Sequence, residues 1–131
     1  MSEFQMPAHG AFCWNELATN DTEAAIRFYT ELLGWEMKQS TFGGAVYNEI
    51  VAAGQPCGGI HQMGPEFGGM KPHWMSYVAV DDVDEKAKQA ADLGGKVCVP
   101  PTDIPTVGRF SVINDPAGAA ISLITLTGAN S

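Results

Sequence analysis

Apolar residues recur at helical spacing in two stretches and in short alternating or continuous runs elsewhere. Ala25, Ile26, Phe28, Tyr29, Leu32 and Leu33 give one apolar face and predict a helix from about Asp21 to Leu33. The run Thr19-Asn20-Asp21-Thr22 supplies capping side chains before it, and Gly34 ends it. A second, narrower stripe of Val83, Ala87, Ala90 and Leu93 predicts a helix starting near Asp82, with Asp84 and Glu85 favoured in its first turn and Gly94-Gly95 at its end. A short strand precedes each helix, and three strand-like runs follow each one. After the first they are Glu36 to Thr41, Ala45 to Ala52 and Cys57 to Gln62; after the second, Lys96 to Val99, Phe110 to Asn114 and Ala119 to Thr125. Ala53-Gly54-Gln55 and Asp115-Pro116-Ala117-Gly118 read as hairpin turns.

The order of elements repeats, and so do residues. At an offset of 60, Trp14 falls on Trp74, Leu17 on Tyr77, Asp21 on Asp81, Leu33 on Leu93 and Gly34 on Gly94. After a short insertion around Pro100-Pro101 the offset becomes 64, and Gly44 meets Gly108, Gly54 meets Gly118 and Ile60 meets Ile124. The expected fold is α+β: two tandem β-α-β-β-β modules, about residues 10–63 and 73–127, forming a half-open, barrel-like mixed sheet around a cavity with the helices outside. Residues 64–72, rich in glycine and proline, link the modules inside one domain of residues 1–131, since neither sheet buries its face alone.

With 131 residues, 45% of them hydrophobic, the chain has material for one core. The 15 glycines and 8 prolines agree with many short elements joined by tight turns. A net charge of -8 repels phosphate backbones and anionic headgroups, which argues against nucleic acid and membrane surfaces as partners. No apolar run is long enough to span a bilayer and the first residues do not resemble a leader, so a cytoplasmic protein is expected. Cys13, Cys57 and Cys98 form no Cys-x-x-Cys pair and are expected as free thiols. Phosphate loops, Gly-x-Ser-x-Gly elbows and His-Glu-x-x-His helices do not occur.

Three signatures carry a family resemblance: Asp21 through Phe28-Tyr29 to Leu33-Gly34-Trp35, Val80-Asp81-Asp82-Val83-Asp84, and Asp115-Pro116-Ala117-Gly118. From about Phe12 to Leu126 the chain resembles the vicinal-oxygen-chelate proteins, which include glyoxalase I, bleomycin- and fosfomycin-resistance proteins and extradiol dioxygenases. Cys13-Trp14-Asn15-Glu16-Leu17 and Val107-Gly108-Arg109-Phe110 look like the group of predicted enzymes related to lactoylglutathione lyase. The resemblance implies the fold; it does not single out a chemistry, because this fold hosts lyases, isomerases, dioxygenases and binding proteins.

In metal-dependent members of that superfamily, four His or Glu ligands from the two modules hold a divalent ion. The resemblance places the corresponding positions at or near Trp14, Gly58, Met75 and Ser122, none of which is a strong ligand for such a cation. No cofactor is therefore expected, and typical glyoxalase I chemistry is not. The alternative is a divalent metal held by displaced ligands, for which Glu16, His61 and His73 are the candidates.

Glu16 shares a strand face with Trp14 and is the candidate catalytic acid or base, or else a solvent-facing glutamate. Trp14 and Trp74, matched by the repeat, are expected at equivalent places around the cavity. There they would stack on a flat or apolar ligand, or fill the space of an absent metal centre. Met75, Ser122 and Arg109 complete the expected pocket, Arg109 as an anion fork or as a structural salt bridge. His61 is out of phase with Ser122 in the repeat, His73 sits at a rim beside Pro72, and His9 lies in the N-terminal segment. Phe42, Met63, Phe67 and Met70 are candidates for a lid or a dimer surface. The expected partners are a small organic ligand and a second copy of the chain, which would cover exposed sheet edges. A drug-sequestering or regulatory binding protein without turnover is the remaining alternative.

Overall fold

The computed structural model describes residues 7–42, 45–64, 68–104 and 107–127, with the backbone alone for 40–42, 45 and 46. Gly43, Gly44, Pro65 and Phe67, and the side chain of Phe42, lie outside the described residues. The elements run β1 (Phe12–Thr19), α1 (Thr22–Leu33), β2 (Glu36–Phe42), β3 (Ala45–Ala52), β4 (Gln55–Gln62), β5 (His73–Ala79), α2 (Val83–Asp92), β6 (Lys96–Ile104), β7 (Gly108–Asn114) and β8 (Ala120–Leu126). The expected α+β repeat of β-α-β-β-β is thus present twice. Neither described helix is long and apolar enough to cross a membrane.

The chain divides into two compact units, one of residues 14–75 and the other of residues 1–13 and 76–131. In the first, the strand order is β2-β3-β4-β1, with β1 parallel to β4 and the two hairpins antiparallel. The β3–β4 hairpin closes between Ala52 and Gln55, and both turn residues have positive φ, Ala53 at 53° and Gly54 at 77°. Such a turn matches the right-handed twist of the strands it joins. Leu17, Ile50 and Ile60 form the core on one sheet face, and Ala25, Ile26 and Tyr29 of α1 pack on it with Trp35 and Met37. Asp21 caps α1 by accepting from the Ala24 N–H at 3.1 Å, and Gly34 ends the helix at φ 73°.

The second unit has the order β5-β8-β7-β6, with β5 parallel to β8. Val83 and Ala87 of α2 are buried, as are Ala79, Val80 and Ile124. Asp82 caps α2 through the Glu85 N–H (3.2 Å), and Thr125 Oγ1 accepts from the Val83 N–H at 2.9 Å while donating to the Val80 carbonyl at 3.0 Å. One strand-end hydroxyl therefore satisfies a helix N-terminal donor and fixes where α2 begins. β6 runs through Pro100 and Pro101 instead of stopping at Val99, and its pairing with β7 skips from Val99 to Thr102 across them. Asp115 organises the β7–β8 turn by accepting from the Ala117 and Ala119 N–H groups, both at 3.0 Å.

The two helix caps fix the internal repeat more firmly than matched letters do. Asp21 and Asp82 stand at an offset of 61, so Trp14 is equivalent to Met75 and Glu16 to Tyr77. The strand registers agree: Glu16 sits opposite Gly59 and Tyr77 opposite Ser122. A bulge adds to the difference, because β3 pairs Val51 with Pro56 and then Ile50 with Gly58, leaving Cys57 as the extra residue. The offset of 60 expected from Trp14 and Trp74 is corrected on this ground, and so is the match of Ile60 with Ile124, because Ile60 stands opposite Leu17 as Leu123 stands opposite Val78.

Candidate functional site

Alternation along β1 sends Trp14, Glu16 and Ala18 to the sheet face opposite Leu17 and the helix. In the register of β4 the residues sharing that face are Gly59 and His61, beside Glu16 and Ala18 respectively. Tyr47 on β3 reaches the same ground from across β4. Its hydroxyl donates to Glu16 Oε2 at 2.9 Å and accepts from the Trp14 indole Nε1 at 3.0 Å. The other carboxylate oxygen, Oε1, lies 4.0 Å from His61 Nε2. That distance is too long for a hydrogen bond and at the edge of an ion pair.

Gly59 makes this arrangement possible. A Cβ at residue 59 would fall inside the Tyr47 phenol, so the ring crosses β4 only because that strand has no side chain there. Glu16 is about one-fifth exposed and His61 about one-third, which leaves the carboxylate reachable while its orientation is set by Tyr47. A carboxylate held by one phenolic donor and backed by an indole can exchange a proton with an adjacent molecule.

Each of the other expected site residues has its own set of contacts. Trp74 lies with the helix-side aromatics: it meets Tyr29 and Trp35 edge-on, with centroids at 5.6 and 6.1 Å, and its Nε1 reaches the Tyr29 hydroxyl at 3.4 Å. Trp14 and Trp74 thus have different neighbours and do not form a facing pair, as the one-residue offset requires. Arg109 donates twice to Asp84, at 2.9 and 3.0 Å, and once to Asp103 at 3.0 Å. This is the structural salt bridge of the two expected readings. The hydrogen bond from Arg109 holds the Asp84 carboxyl below its ordinary range, and the two aspartates raise the guanidinium further above its own. Met75 is half-buried, and Ser122 is fully buried with no partner for its hydroxyl among the described residues. His73 donates from Nδ1 to the Lys71 carbonyl at 2.8 Å, and His9 Nδ1 accepts from the Asp81 N–H at 2.9 Å. Burial pushes the Cys13 thiol up.

Trp14, Gly58, Met75 and Ser122 offer no carboxylate, imidazole or thiolate, and Gly58 lies on the helix side of its sheet beside Asn15. Among the described residues no group of three or more His, Cys, Asp or Glu side chains converges. The donors present, Glu16 and His61, do not make the four-ligand set that the superfamily uses for a divalent metal. The sequence points to Glu16 on this face and keeps His61 only as a candidate ligand for a displaced metal, and it gives no direct sign of Tyr47. The indirect signal for both is Gly59, a glycine inside a strand, which marks a close approach across the sheet.

Residues 11–123 match the Glyoxalase/Bleomycin resistance protein/Dioxygenase superfamily. CFP32 of Mycobacterium tuberculosis (strain CDC 1551 / Oshkosh), a glyoxylase by name, is 40% identical over 116 residues, covering 88% of this chain and 44% of that protein. The anthracycline biosynthesis protein DnrV of Streptomyces peucetius is 33% identical over 129 residues, covering 88% of this chain and 47% of its own length. The chain spans less than half the length of these curated relatives. Among solved structures, a methylmalonyl-CoA epimerase from Mycobacterium tuberculosis superposes with a TM-score of 0.63 at 16% identity, over 94% of this chain and 93% of that one, a likeness of fold. Through the match of residues 11–123 to the family as a whole, with the repeated β-α-β-β-β unit behind it, the chain belongs to the Glyoxalase/Bleomycin resistance protein/Dioxygenase superfamily.

Proposed function

We propose that this chain binds a small organic molecule on the Glu16 face of residues 14–75, and that the Glu16 carboxylate takes or returns a proton there without a four-ligand metal centre. The observation that carries the reading is the Tyr47 hydroxyl donating to Glu16 Oε2 at 2.9 Å while the Trp14 indole donates to that hydroxyl. Tyr47 fixes the carboxylate, and Trp14 fixes Tyr47. Relatives named for a glyoxylase and for anthracycline biosynthesis support a small-molecule substrate. Three free thiols support a reducing compartment, and the cytoplasm is the proposed location.

The test is incubation with a panel of carbonyl compounds in deuterium oxide, with magnetic resonance reporting deuterium at the adjacent carbon. Wild type should incorporate deuterium, and Glu16→Gln should lose on the order of a hundredfold in rate. Undiminished incorporation by Glu16→Gln defeats the assignment. Thermal stabilisation by a compound that gains no deuterium makes the chain a binding protein and removes the proton-transfer step.

A second reading, a metal-dependent enzyme with displaced ligands, draws on the 4.0 Å approach of Glu16 and His61. Saturation with nickel, zinc, cobalt and iron followed by desalting separates the two. Stoichiometric metal retained by wild type and lost in Glu16→Ala favours this second reading over the first. The proposal also includes a symmetric homodimer, refuted by a monomeric mass in light scattering at micromolar concentration.

A further inference from the structure

The sheet face turned away from Glu16 in residues 14–75 carries a recess of about 340 Å³, lined by Asn15, Trp35, Ile50, Cys57, Gly58 and Trp74. Its floor is Ile50, 1% exposed, and Gly58, where a Cβ would strike the Asn15 carbonyl and lie 3.5 Å from Ile50 Cδ1. The bulge in β4 brings Cys57 to its edge, with Sγ 3.8 Å from the Ile50 carbonyl.

The walls are aromatic and held in place. Trp35 is stacked on Tyr29, centroids 5.3 Å apart and planes 23° apart, and it meets Trp74 at 81°. Trp74 is also edge-on to Tyr29, whose hydroxyl accepts from its Nε1, yet it stays 41% exposed. Two indoles fixed nearly at right angles offer an incoming ring a face to stack on and an edge to meet, the two geometries that aromatic pairs prefer. Among the described residues the lining holds no charged side chain, which suits it poorly to a phosphate or a metal ion.

We propose that this recess is a second binding site, distinct from the Glu16 face, for a planar aromatic molecule of roughly two or three fused rings, neutral or cationic. The indole faces attract positive charge, and the net charge of -8 works against an anion of the same shape. Asn15 and Cys57 place a polar side chain and a thiol at the edge, where a ring substituent would point.

The test is calorimetric titration of the full chain with aminoacridine, a planar cationic tricycle, against adamantylammonium, a cation of similar bulk with no ring face. Aminoacridine should bind at one site per chain and at least tenfold more tightly than adamantylammonium. Trp74→Leu should weaken it about tenfold. Cys57→Phe, which fills the recess from an exposed strand residue, should abolish binding, with circular dichroism showing both variants folded. Glu16→Gln should bind aminoacridine as wild type does, whatever the fate of the Glu16 assignment. Equal affinity for the two cations, unchanged affinity in both recess variants, or loss of binding in Glu16→Gln would each overturn the proposal.

Discussion

Gly59→Ala separates a glycine needed for the Tyr47 crossing from one merely tolerated. Gly59 is not among the positive-φ glycines, so strand geometry admits an alanine there, and on backbone entropy alone the change should stabilise the fold by about 0.5–1 kcal/mol. The structure predicts the opposite sign. A Cβ would overlap the end of the phenol ring, and the cheapest escape is for Tyr47 to swing off β4. That movement breaks its hydrogen bond to the Glu16 carboxylate, worth about 1.5–3 kcal/mol, and the one it accepts from Trp14, worth about 1 kcal/mol. Water at the half-buried carboxylate recovers part of this. After the backbone gain is deducted, a net destabilisation of about 1–2 kcal/mol is expected. Urea unfolding followed by circular dichroism measures it through the midpoint at constant slope. In a Tyr47→Leu background the same glycine substitution should be neutral or stabilising, and the difference between backgrounds is the coupling energy. Stabilisation of the wild-type chain by Gly59→Ala would refute the Tyr47 crossing, and with it the orientation of Glu16.

Four further outcomes follow from contacts described above. Asp21→Ala and Asp82→Ala each remove an accepted N–H bond at a helix start and should each lower stability by about 1 kcal/mol in urea; unchanged midpoints would show the caps to be idle. Because Asp84 has a lowered pKa in the folded chain, its pairing with Arg109 stabilises above the ordinary carboxylate value and is lost as pH falls through the lowered one. The gap in urea midpoint between wild type and Asp84→Asn should therefore hold from pH 7 to about pH 5 and close below about pH 4, shrinking at every pH in molar salt; a gap independent of both pH and salt would contradict the pair. An aromatic disulfide reagent should find Cys57 and Cys98 quickly and Cys13 slowly, since Cys13 is half-buried with its thiol pushed up, and three equal rates would count against that burial. Ile60→Ala should cost about 2–5 kcal/mol, because the side chain is fully enclosed by the sheet–helix core; a cost under 1 kcal/mol would mean that α1 does not cover it.

The elements themselves were legible in the sequence, because the spacing of Ala25, Ile26 and Tyr29 and the turns at Gly54 and Gly118 act through local rules. What local rules left open was phase. Asp81 and Asp82 are adjacent acids, and the offset of 60 that matches Trp14 with Trp74 lays Asp21 on Asp81, one residue away from the Asp82 that caps α2. In a strand, one residue reverses the face, so that offset sets the two indoles at equivalent places that the structure does not give them. The bulge at Cys57 had the same effect on Gly58, and no pattern of apolar residues announces a bulge. Glu16 was recoverable from alternation. Its partner was not, since Tyr47 is 31 residues away and reaches it over an intervening strand, a contact set by sheet order and a single glycine. Arg109 carries two readings in the sequence, and the structure pairs it with Asp84 and Asp103.

The two prolines of β6 bear on how this protein behaves in company. Among the described residues β6 pairs with β7 alone and stands last in the strand order, and Pro100 and Pro101 sit in its middle with the ladder broken around them. Neither carries an N–H, so a foreign strand laid alongside would find no run of donors to copy, and growth of the sheet into a filament would stall there. Replacing both prolines would restore the template and invite polymerisation without touching either proposed pocket. Any assembly of identical chains must accordingly be built from side chains, or from another edge, and will be tunable by surface substitution.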